Sequence, residues 1–117
     1  YYAQAWAIAW TETPLFEEDF QAWKNGPVCP ELFYAHQGRF SIDESSLKKG
    51  NADELTPDEK ETVDVVLNTY GDWDPYALRE QTHHEPPWKD ARGNLPEGAS
   101  CNTVITKDSM GAYYGSL

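Results

Sequence analysis

The sequence predicts a mainly α, compact single-domain helical bundle. Three observations carry that expectation. The chain has 117 residues, which is the length of one domain. Its hydrophobic content of 39% includes five Trp, seven Tyr and four Phe, so a core can be built from a few large rings. And its clearest pattern, over 57–70, has a helix's period and a helix's cap.

The opening run, Tyr-Tyr-Ala-Gln-Ala-Trp-Ala-Ile-Ala-Trp over 1–10, is rich in alanine, the best helix former. Its apolar residues fall on nearly every face, the pattern of a buried helix. Gln4 is its clearly polar residue and needs a partner if buried. Thr11-Glu12-Thr13-Pro14 breaks it. Between 15 and 25, Phe16, Phe20 and Trp23 fit both a short extended segment and a single helical turn, and Asn25-Gly26-Pro27 is a turn signal. From Pro27 to Gln37 the pattern is helical, with Pro27 and Pro30 in the first turn and Gly38 as C-cap. Phe40-Ser41-Ile42 is a candidate partner strand for the earlier extended segment. Residues 43–55 are polar and read as a loop.

Thr56, Pro57 and Glu59 form an N-cap, an N1 proline and a capping box for a helix over 57–70. Val63, Val66, Leu67 and Tyr70 make its apolar stripe, and Gly71 closes it. Asp74 caps the next helix, Pro75 is its N1, and Trp73 is placed to staple onto Leu78. That helix runs into Thr-His-His-Glu-Pro-Pro-Trp-Lys-Asp-Ala-Arg, residues 82–92. Two prolines there stop it near Glu85, and a helical turn restarts at Pro87. The outcome is a stiff corner holding Trp88. Residues 93–103 are rich in Gly, Asn, Pro and Ser and read as a loop. Thr106 caps a last short helix, with Ile105 stapling onto Met110 and Tyr113 and Tyr114 continuing the stripe to Gly115.

The net charge is −11, from 20 acidic and nine basic residues. This disfavours direct nucleic-acid binding, which uses basic patches, and favours solubility and attraction to a basic partner. The only strongly apolar run, 1–10, is too short for a membrane span, which takes about 20 residues. Cys29 and Cys101 form no Cys-x-x-Cys pair and no zinc pattern; two such thiols fit a reducing cytoplasm. There is no Walker loop, no Gly-x-Gly-x-x-Gly and no Gly-x-Ser-x-Gly.

His83, His84 and Glu85 are the first candidates for metal or acid–base chemistry. Adjacent helical residues point about 100° apart, so the two imidazoles cannot easily share an ion; only His36 could add a third. A structural role for His83, capping a helix C-terminus, is the simpler reading, with His84 on the surface. Cys29 lies near a helix N-terminus, a position that lowers a thiol pKa, yet a small buried hydrophobe is the plainer reading. Trp23 and Trp88 are assigned to the core, and Lys24 and Arg92 to the surface or to bridges with internal carboxylates.

Thr82-His83, Pro87-Trp88 and Ala91-Arg92 together resemble the Thr-His-x-x-x-Pro-Trp-x-x-Ala-Arg signature of the Panacea domain, the SocA-like antitoxin domain. Ala22 to Phe33 and Tyr1 to Trp6 are similar to two further stretches of that family, in its order. The resemblance implies a short strand leading into the turn at 25–27, hence a small two-stranded β-hairpin around 18–24 and 39–42. It also implies a preceding N-terminal lead-in that would cover Tyr1, Tyr2 and Trp6. The family places an apolar residue at Cys29 and an aromatic or apolar one at His36. It implies an antitoxin that neutralises a cognate protein toxin by direct binding, without catalysis or cofactor, and leaves room for a homo-oligomer. A variant is an adaptor that delivers the toxin to a protease; the rival from another class is a small metal-dependent hydrolase using His83, Glu85 and His36. The candidate partner-binding residues are Trp23, Lys24, Asn25, His84, Glu85, Trp88, Lys89 and Arg92.

Overall fold

The computed structural model describes residues 1–35, 55–96 and 98–117. Its elements run α1 (Tyr2–Thr11), β1 (Phe20–Trp23), β2 (Gly26–Val28), α2 (Pro30–Ala35), α3 (Pro57–Tyr70), α4 (Pro75–His83), α5 (Pro86–Arg92), β3 (Val104–Ile105) and α6 (Lys107–Tyr114). The mainly α class is met. None of the described helices is long and apolar enough to cross a membrane.

α1 is the central helix, and α3 and α6 pack against it. Ala5 and Ala7 are buried, and their small side chains let the neighbours approach closely. Gly111 does the same from the other side: a Cβ there would meet Ile8 Cγ2 at 3.0 Å. Gln4, buried in this apolar helix, is satisfied. Its Nε2 donates to Phe16 O at 2.8 Å, and its Oε1 accepts from the Leu15 N–H at 2.8 Å. The polar residue the sequence singles out thus ties the segment after α1 back onto the helix. The cover expected from a lead-in comes in part from this chain: Tyr2 is buried, and Tyr1 and Trp6 are half-buried against the core.

The sheet has three strands in the order β2-β1-β3, both pairings antiparallel. This corrects the two-stranded hairpin. β1 turns back through Lys24-Asn25 and pairs with β2, with Trp23 opposite Gly26. Gly26 has φ +125°, a conformation that favours glycine, and it lets the chain reverse within two residues. Pro27 sits in an edge strand, where a missing N–H is tolerated. The other edge is β3, which pairs Ile105 with Phe20. The expected partner, 39–42, lies outside the described residues, as do His36, Gln37 and Gly38. α2 starts at Pro30 rather than Pro27, because Gly26–Val28 are taken up by β2.

α3 has the bounds and the complete capping box read from its sequence. The Glu59 N–H donates to Thr56 Oγ1 and the Thr56 N–H to Glu59 Oε1. Its buried stripe is rotated, however. Thr62 and Val66 are buried, Tyr70 is half-buried, and Leu67 is 60% exposed. Several stripes fit a periodic sequence, and the position of α1 selects among them. Trp73 packs edge-on against the Tyr70 ring at 5.1 Å. Asp74 and Thr106 cap α4 and α6 as expected, and α5 opens at Pro86, one residue early.

Candidate functional site

The corner at 82–92 forms where Pro86 and Pro87 end one helix and begin another. α4 stops at His83 and α5 starts at Pro86. This sets two large groups face to face: the His83 imidazole stacks on the Trp88 indole with centroids 3.9 Å apart and planes 7° from parallel. The Arg92 guanidinium lies over the same indole, with Cζ 4.9 Å from its centroid. Both residues flanking the ring are buried, as is Trp88 itself.

The stack is bonded to β1. Trp88 Nε1 donates to Trp23 O at 2.9 Å, and Arg92 Nη1 donates to Ala22 O at 2.8 Å. Arg92 Nη2 donates to Pro96 O and to Ala99 O. Arg92 therefore closes the loop after α5 and locks α5 onto the sheet. This corrects its placement at the surface: at 5% exposure a guanidinium is kept inside because fixed carbonyl oxygens replace its water.

Glu85, a candidate for acid–base chemistry and for partner binding, is buried as well. It is 4% exposed. Its Oε1 accepts from Tyr2 Oη at 2.6 Å and Tyr114 Oη at 2.8 Å, and its Oε2 accepts from Gln81 Nε2 at 3.3 Å. The carboxylate joins α1, α4 and α6 at one point. Burial, and then the Glu85 bond and charge, push the Tyr2 phenol well above its ordinary range. Burial does the same to Tyr114, helped by Tyr1 and Glu85. Sequence reading missed this node, although the two tyrosines stand in the two apolar helical runs at either end of the chain.

Of the other candidates, Trp23 is half-buried with its ring against Phe33, and Lys24, Asn25, His84 and Lys89 are exposed. The bond from Trp88 to Trp23 O joins the corner that bears His84 and Lys89 to the turn that bears Lys24 and Asn25. His84 approaches Glu80 at 4.0 Å. Among the described residues no three His, Cys, Asp or Glu side chains gather in a metal-holding group; His36 lies outside them. Cys29 and Cys101 are free thiols. Contrary to the helix-terminus expectation, burial pushes the Cys29 thiol up, and its Sγ donates to Glu31 Oε2. The Cys101 thiol is lowered by its bond with Thr103.

The exposed side of the α1/α3 seam was also missed. Trp10 stacks on Trp6, at 5.1 Å. Trp6 Nε1 donates to Tyr70 Oη at 3.2 Å, and Tyr70 meets Trp73. The i, i+4 spacing of Trp6 and Trp10 was its signal.

Neither a curated protein nor a solved structure matches the chain. The family model for the antitoxin SocA-like Panacea domain matches residues 1–89, a span that takes in α1, the β1–β2 turn, α3, α4 and the corner through Trp88. The His83–Trp88 stack and its bond to β1 are thus built from the matched region, and the chain belongs to the SocA-like Panacea domain family.

Proposed function

We propose that this chain is an antitoxin that neutralises a cognate protein toxin by direct, stoichiometric binding in the cytoplasm, without catalysis or cofactor. The observation that carries the reading is the family match over most of the chain. The use of the signature side chains agrees with it. His83, Trp88 and Arg92 are spent inside the fold, holding α4 and α5 to the sheet, as befits a rigid binding module. The members of the candidate set still within a partner's reach are Trp23, Lys24, Asn25, His84 and Lys89.

The test is co-expression with the product of the neighbouring gene. The expected result is rescue of growth and a complex of fixed stoichiometry on size exclusion. Full toxicity in the presence of folded chain overturns the reading. Rescue that requires a host protease and leaves no complex moves it to the adaptor variant.

A further inference from the structure

We propose that the seam between α1 and α3 is a docking groove for a basic, apolar segment of the neutralised protein. The proposal rests on the antitoxin reading above. The groove holds about 350 Å³ between Trp10 and Thr11 on α1 and Asp58, Glu61 and Val65 on α3. Trp10 is 49% exposed and Val65 41%. Positions 58, 61 and 65 share one helical face, so two carboxylates and an apolar side chain look into the same groove. Among the described residues, no basic side chain lines it.

The apolar side is longer than the groove. Trp10, Trp6, Tyr70 and Trp73 touch in series from the end of α1 to the link before α4. Rings held by their neighbours lose little entropy on binding, and Trp and Tyr are the types that dominate interface energetics. Carboxylates beside exposed indoles select a cation. A guanidinium or ammonium over an indole face gains from the ring quadrupole, and Asp58 and Glu61 add attraction of the same sign. The net charge of −11 extends that preference beyond the groove. Nucleic acid is repelled by the same carboxylates. A second copy meeting groove to groove sets like charges opposite each other, which is costly.

The test uses a synthetic amphipathic peptide with arginine and leucine on one helical face, and a counterpart with glutamate for arginine. Calorimetry should show the arginine peptide binding the whole chain, more weakly as salt rises. Glu61→Arg and Val65→Glu should each reduce that affinity about tenfold or more, with unchanged melting because both sites are exposed. Leu32→Glu, at another exposed apolar position on α2, should leave it unchanged. Equal binding of the glutamate peptide, parental affinity in both groove variants, or an equal loss in Leu32→Glu overturns the proposal. So does a homodimer in sedimentation that Trp10→Ala dissociates, since a second copy is then the occupant. Co-expression separates the two readings. If the parent neutralises and Glu61→Arg neutralises equally, the groove is wrong and the antitoxin stands. If the parent fails to neutralise, the antitoxin reading fails and the peptide result alone judges the groove.

Discussion

At the scale of single residues, Trp88 and Glu85 hold the most structure together. Trp88 is stacked on one face by His83, covered by Arg92, and hydrogen-bonded to β1. Trp88→Ala removes a buried ring and leaves a void, and should cost about 3–5 kcal/mol, read by denaturant unfolding. A variant that unfolds like the parent but no longer neutralises would place Trp88 at the interface instead. The burial of Tyr2 and Tyr114 around Glu85 sets up a pH dependence. The Tyr2 and Tyr114 phenols are raised in the folded chain, so the fold holds their protons longer than the unfolded chain, whose tyrosines ionise near pH ~10. Their contribution is complete below that pH and is lost as pH rises above it. Alkaline titration should show stability falling above pH ~10, and the double variant Tyr2→Phe, Tyr114→Phe should show a shallower fall.

At the scale of elements, caps and turns decide where helices begin, and neighbours decide which face is buried. The Thr56–Glu59 box sets the start of α3 without help from the rest of the chain. Thr56→Ala should cost about 1 kcal/mol, seen as a lower melting temperature with little change in the burial of Val66. The β1–β2 turn depends on Gly26, whose φ of +125° strains any side chain and whose added Cβ would sit 3.4 Å from Thr82 Oγ1. Gly26→Ala should destabilise the chain and speed amide exchange in β1, since the turn would have to yield.

At the scale of the whole molecule, charge and aromatic surface act together. Acidic side chains cover the outside, while the corner and the tyrosine node stiffen the inside. Association with a basic partner should therefore slow as salt rises, since screening shortens to about 8 Å at physiological ionic strength. Stopped-flow on-rates that stay flat from low to high salt would argue that steering is absent.

Much of this architecture was legible from local chemistry. The box at Thr56–Glu59, the caps at Asp74 and Thr106, the demand of Gln4 for a partner and the corner made by Pro86 and Pro87 depend on residues a few positions apart, so sequence alone determined them. So did the membership in the family, whose motifs are local strings. The phase of α3, the third strand and the fates of Arg92 and Glu85 depend on groups far apart in the chain. β3 is two residues long, too short for any alternation to show. Arg92 is buried because the Ala22 carbonyl of β1, seventy residues away, stands ready to accept from it beside those of Pro96 and Ala99. Glu85 is buried because helices from both ends of the chain bring hydroxyls to it. A charged side chain reads as exposed until its partners are in place, and only the tertiary structure supplies them.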